Sequence, residues 1–110
     1  MTVSRLIDDL GFRPLWTGWT DRTVTGAHTS DLLSDVMAHA DEGDVLLTIQ
    51  AHKNTVAVAT LKDLAAVVIC SDRPVTDDML EAARAEDLPL LMTEDDQYTA
   101  GWKIHGIAGF

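Results

Sequence analysis

Two short apolar runs, Val45-Leu46-Leu47-Thr48-Ile49 and Ala65-Ala66-Val67-Val68-Ile69-Cys70, constrain the fold of this chain more than any other feature. Neither alternates polar with apolar residues, so neither suits a strand with one wet face. Near-continuous apolar strands are those covered on both sides of a sheet. The segment between them, Asn54 to Lys62, has the length and short connections of a crossover helix, which parallel neighbours require. Its Val-Ala-Val-Ala stretch also alternates as a strand would, and the two flanking buried runs decide for helix. The rhythm continues downstream. Thr76 stands before a helix with Asp77 and Asp78 in its first turn, where acids favour the helix dipole, and Met79, Leu80 and Ala83 on its inner face. Leu88 to Met92 reads as the next strand, with Pro89 at its beginning. Thr93-Glu94-Asp95-Asp96 then reads as a capping box, opening a helix that runs to about His105.

Upstream, Val3, Leu6, Ile7 and Leu10 fall at helical spacing, Thr2 or Ser4 can cap the start, and Gly11 supplies a stop. Phe12 to Trp16 reads as a short strand, Thr17-Gly18-Trp19 as a turn, and Thr23 to Ser30 as a second strand. The whole is β-α-β-α-β-α-β-α after an N-terminal helix. This order predicts an α/β fold, a mostly parallel sheet with helices on both faces and right-handed crossovers. A length of 110 residues encloses one hydrophobic core and not two. With no repeat, low-complexity tract or linker, residues 1–110 read as a single compact domain.

Charge narrows the partners. Eight Lys plus Arg stand against eighteen Asp plus Glu, a formal charge of −10. Such a field repels phosphate backbones and anionic headgroups, which argues against nucleic acid and membrane surfaces. Fourteen of the acids are Asp, as a solvated, salt-adapted surface would have. The one cysteine, Cys70, closes no internal disulfide and cannot hold an iron–sulfur cluster within one chain. A reducing cytoplasm is the expected compartment, and the N-terminal residues lack the apolar run of a signal peptide.

In an open parallel sheet, ligands bind beyond the carboxyl ends of the strands, where loops and helix N-termini converge. The expected ligand residues are therefore Thr29, Ser30 and Asp31 after one strand, and Gln50, His52, Lys53 and Asn54 after the next. Ser71, Asp72 and Arg73 follow the third, and Thr93, Glu94 and Asp95 the last. Two cations, a His and free helix amides at one rim suit a nucleotide or a phosphometabolite. Ser30, Asn54, Thr76 and Thr93 are equally what helix caps look like. Stricter motifs are missing: there is no G-x-G-x-x-G or G-x-x-x-x-G-K-[ST] loop and no H-E-x-x-H, so no resident cofactor and no metal is expected. A competing reading is a small phosphoryl- or acyl-transfer enzyme using His52, Cys70 and the Glu94 cluster, which requires a thiolate at Cys70 with His52 beside it. A third is a purely structural subunit. Trp19 on a turn and Trp102 on the last helix are candidate anchors of a subunit contact.

The order Asp21-Arg22-Thr23-Val24-Thr25-Gly26, then Ser30-Asp31-Leu32-Leu33-Ser34-Asp35-Val36-Met37, then Gly43 through Ala59, resembles the DRTGG domain family. The likeness is greatest to its small stand-alone members associated with iron-only hydrogenases, and it extends through Lys62-Asp63-Leu64-Ala65 and Leu88-Pro89-Leu90-Leu91. The resemblance implies a non-catalytic regulatory, ligand-sensing or assembly module of α/β fold, homodimeric, with a redox enzyme subunit as a further partner. The chain departs from fused members of the family at two loops. It reads Gln50-Ala51-His52 where they usually show Gly-Asp-Arg, and Cys70-Ser71-Asp72 where they show Thr-Gly-Gly.

Overall fold

The two apolar runs become neighbouring central strands, β3 (Asp44–Thr48) and β4 (Ala66–Ile69), paired in parallel with Val45 beside Ala66 and Thr48 beside Ile69. Every residue of both strands is buried, the polar Asp44 and Thr48 at the ends of β3 included. The computed structural model describes all residues, 1–110. The remaining elements are α1 (Val3–Leu10), β1 (Arg13–Pro14), β2 (Gly26–Thr29) and α2 (Leu33–His39), then α3 (Lys53–Leu61), α4 (Asp77–Ala85), β5 (Leu90–Met92) and α5 (Gln97–Ala108). The sheet order is β1-β5-β4-β3-β2. All pairs are parallel except β1 with β5, where Arg13 faces Met92 and Pro14 faces Leu91. No helix is long and apolar enough to cross a membrane.

Successive strands β2 to β5 all step in one direction, so right-handed crossovers place α2, α3 and α4 on one face. There Leu46, Val67, Ile69 and Leu90 meet Val36 of α2, Val56 and Ala59 of α3, and Met79 and Ala83 of α4. The last helix has no following strand and folds onto the other face beside α1. Val3, Leu6, Ala100 and Ile104 pack there against Val45, Leu47, Val68 and Leu91. The expected α/β architecture, with helices on both faces of a mostly parallel sheet, is the one observed.

Several boundaries differ from the sequence reading. The Phe12–Trp16 strand shrinks to Arg13–Pro14, because Pro14 has no N–H for a ladder. The Thr23–Ser30 strand shortens to Gly26–Thr29, because Arg22 and Val24 turn to the chain start instead. The Val24 N–H donates to the Met1 carbonyl at 2.8 Å, and the Val3 N–H to Arg22 at 3.0 Å. Thr93 does not cap the last helix. Asp96 does, accepting from the Thr99 N–H at 2.8 Å, and the helix runs on to Gly109. The cap of α3 is His52, whose Nδ1 accepts from the Asn54 N–H at 3.1 Å, so Asn54 is the capped residue and not the cap.

Candidate functional site

At the carboxyl ends of the strands the connections part. α4 leaves β4 for one face and α5 leaves β5 for the other, and the two diverging loops open a cleft of about 250 Å³. A crevice of this kind forms wherever adjacent strands send their helices to opposite sides. Its walls include Asp72 from the loop after β4 and Thr93, Glu94 and Asp95 from the loop after β5. Arg13 of β1 and Lys103 of α5 supply its cations. The loops are cross-linked through the main chain. The Ser71 N–H donates to the Asp95 carbonyl at 2.8 Å, and the Asp72 N–H to Thr93 at 3.0 Å. Ser71 and Asp72 adopt left-handed backbone, φ 58° and 50°, a conformation that costs a non-glycine residue about 1 kcal/mol or more.

Both cations are held by acids. Lys103 Nζ donates to Asp95 Oδ2 at 2.8 Å, in a half-buried pair. Arg13 lies 3.6 Å from Asp72 in an exposed pair and also donates to the Met92 sulfur. An incoming anion would take over donors that carboxylates now hold. No three of the His, Cys, Asp and Glu side chains converge in a geometry that would hold a metal ion.

Of the residues expected to bind a ligand, the structure brings Asp72, Thr93, Glu94 and Asp95 into this cleft, with Ser71 in its loop. The others go elsewhere. Asp31 ties three elements together, accepting from Thr48 Oγ1 and the Ile49 N–H at 2.9 Å each and from Gln97 Nε2 at 3.0 Å. Ser30 closes a local turn with the Leu32 main chain, and the Gln50 carbonyl accepts from Thr55 Oγ1. Lys53 and Asn54 line a separate groove between α3 and α4, His52 is occupied as a cap, and Arg73 is exposed outside the cleft. Arg13 and Lys103 escaped the sequence reading because β1 reaches this rim through antiparallel pairing with β5, and Lys103 lies two turns inside a helix. No local spacing announces either.

Cys70 is fully buried in the α1/α5 core layer, and its thiol approaches only the Val68 carbonyl, at 3.8 Å. Desolvation pushes the thiol up to about 12, and the neighbouring Asp31, Asp95 and Asp96 charges act in the same direction. It is therefore a neutral packing group, with no hydrogen bond to His52. The transfer enzyme built on a Cys70 nucleophile is not what this chain folds into.

The Asp21-Arg22-Thr23 segment lies at the opposite end of the sheet. Asp21 accepts from the Ser4 N–H at 3.1 Å and from the Ser4 hydroxyl, capping α1 from seventeen residues away. Partial burial acts to raise its carboxyl, and the hydrogen bonds from Ser4 and from the Arg22 N–H together outweigh it and hold the carboxyl below the usual range. Arg22 donates to the Leu64 carbonyl at 2.8 Å and the Asp87 carbonyl at 2.6 Å, just before β4 and β5. Sequence reading singled this segment out as a signature; its work in the fold is to close the amino-terminal end of the sheet.

The sequence matches no family model and no curated protein. Among solved structures, the chain is similar to the crystal structure of the CBS and DRTGG domains of the regulatory region of Clostridium perfringens pyrophosphatase, complexed with the activator diadenosine tetraphosphate. The TM-score is 0.71 at 12% identity, over 93% of this chain and 45% of that one. The chain thus spans a little under half of that structure. At this identity the likeness is one of fold alone.

Proposed function

We propose that this chain is a non-catalytic regulatory module that works as a homodimer and senses a small anionic ligand, a nucleotide or phosphometabolite, in the cleft between the β4 and β5 loops. The observation that carries the reading is the convergence of Arg13 and Lys103, ninety residues apart in sequence, on loops cross-linked through their main chains. A phosphate entering the cleft displaces Asp95 from Lys103 and Asp72 from Arg13, and so acts directly on the two loops. Ser71, Asp72 and Thr93 remain in the proposed site. The similar pyrophosphatase region is regulatory and was crystallised with a dinucleotide activator, which supports the ligand class. A cytoplasmic setting suits the unpaired Cys70 thiol. Docking on a redox enzyme of the hydrogenase type, implied by sequence resemblance, is the context in which such a module would report.

The test is thermal unfolding with adenosine and guanosine nucleotides, dinucleoside polyphosphates and sugar phosphates. A ligand at about 100 times its Kd stabilises the folded state by about 2.7 kcal/mol, a readily measured rise in the midpoint. Arg13→Ala and Lys103→Ala each abolish the rise, whereas Lys53→Ala and Arg73→Ala keep it. No response to any compound, or a response indifferent to Arg13 and Lys103, overturns the ligand reading.

A further inference from the structure

The two edges of the sheet are protected very differently. The β1 edge is two residues long and carries Pro14, a usual guard against further pairing. The β2 edge, Gly26-Ala27-His28-Thr29, carries no proline and no lysine, and no strand pairs with it. The Ser30 N–H donates inward to the Leu47 carbonyl, so in the parallel ladder the main-chain groups of Gly26 and His28 face β3 and those of Ala27 and Thr29 face solvent. Beside this edge, α5 presents Tyr98 and Trp102, 83% and 67% exposed and one helical turn apart. With Thr29, Gln97, Gly101 and His105 they line an open groove of about 670 Å³. The other two tryptophans are spent internally, Trp16 Nε1 donating to the Leu88 carbonyl and Trp19 Nε1 to that of Trp16.

We infer that this face is the interface between two copies of the chain: β2 of one copy pairs antiparallel with β2 of the other across a twofold axis, and Tyr98 and Trp102 of each pack into the groove of its mate. The inference names the surface for the homodimer proposed above and rests on that reading. Charge selects the occupant. A second copy brings another −10, so close approach favours the surface poorest in carboxylates; none of the six residues lining this groove is acidic in a chain with eighteen acids, and Asp31, a carboxylate at its rim, is engaged by Gln97 Nε2 at 3.0 Å. A strongly basic partner would be drawn to the acidic remainder of the surface instead. A free strand edge is also self-complementary, as a twofold contact demands.

The experiment is sedimentation velocity on the full chain from about 2 to about 200 µM, where mass action separates monomer from dimer, together with amide exchange at both concentrations. The wild type sediments as a dimer at the upper end, with Ala27 and Thr29 amides exchanging more slowly there. Trp102→Glu and Thr29→Lys each weaken association by about 30-fold or more while circular dichroism keeps its native form. A wild type that stays monomeric throughout overturns the homodimer reading and this surface together. A dimer indifferent to both substitutions, with Ala27 and Thr29 exchange independent of concentration, overturns this surface alone. Should either substituted chain fail to fold, the wild-type exchange data decide.

Discussion

Arg22 illustrates how much of this fold rests on single long side chains. Its guanidinium donates to the carbonyls of Leu64 and Asp87, residues 42 and 65 positions away that begin the approaches to β4 and β5. Both carbonyls lie where the sheet ends and regular pairing has not begun, so truncating Arg22 leaves them without a partner. Hydrogen bonds from a charged donor contribute about 1.5–3 kcal/mol each, and an orphaned buried acceptor adds its desolvation cost. Arg22→Ala is therefore expected to lower unfolding stability by about 2–4 kcal/mol in a urea titration, with Arg22→Lys recovering less than half, since an ammonium does not reproduce the fork. A loss under about 0.5 kcal/mol, the usual size for a surface change, contradicts this account. Gly26 belongs to the same end of the sheet: a Cβ there would meet the Oδ1 of the buried Asp44, so any larger residue requires that carboxylate to move. Neither role was legible in the sequence. A motif shows that Arg and Gly are spaced in a certain way, and it does not show which distant carbonyl or carboxylate they meet.

At the scale of elements, legibility follows burial. β3, β4, α3 and α4 were readable because a strand covered on both faces writes that fact into its own composition, and the intervening helices follow from chain reversal. The caps of α3 and α5 moved by two or three residues because Ser, Thr, Asn, Asp and His near a helix start all offer acceptors and the backbone chooses among them. β1 was half visible, since two residues carry no period. The join between β2 and α2 has its own electrostatic clip. Asp35 on α2 receives His28 Nε2 of β2 at 3.0 Å and His39 Nδ1 at 2.9 Å. The hydrogen bond from His28, then those from Ser30 and His39, hold its carboxyl down at about 2. In the unfolded chain the same carboxyl titrates near ~3.9. Because the folded value is the lower one, its contribution to stability is complete above about pH 4 and is lost as pH falls from there through about 2. Thermal midpoints measured across that window should drop more steeply for the wild type than for Asp35→Asn, which lacks this titration. Parallel curves for the two proteins would show that the clip contributes nothing.

For the molecule as a whole, the governing quantity is the unbalanced charge. Only four of the eighteen carboxylates, Asp9, Asp35, Asp72 and Asp95, lie in ion pairs with Arg, Lys or His. Those pairs are half-buried or exposed, a setting in which each contributes about 1 kcal/mol at most. Of the other fourteen, all but the buried Asp44 share the surface of a molecule only 32 × 29 × 24 Å in extent, so at low salt, where the screening length reaches about 30 Å, every acid feels most of the others. Folding concentrates this charge and unfolding disperses it, so the repulsion works against the native state. Salt weakens the few attractive pairs and the many repulsive ones together, and the repulsive ones are the majority. Raising sodium chloride from about 0.01 to about 0.5 M, which shortens the screening length from about 30 Å to under 10 Å, should lift the thermal midpoint. A gain of about 1 kcal/mol corresponds to about 4–8 °C in a domain of this size. The same titration should strengthen association at the β2 and α5 face, because screening lets two like-charged copies approach while the uncharged groove loses nothing. A midpoint that falls with salt would mean that the attractive pairs dominate after all. It would also remove the charge argument for an interface poor in carboxylates, since the acids would then impose no barrier for that surface to avoid.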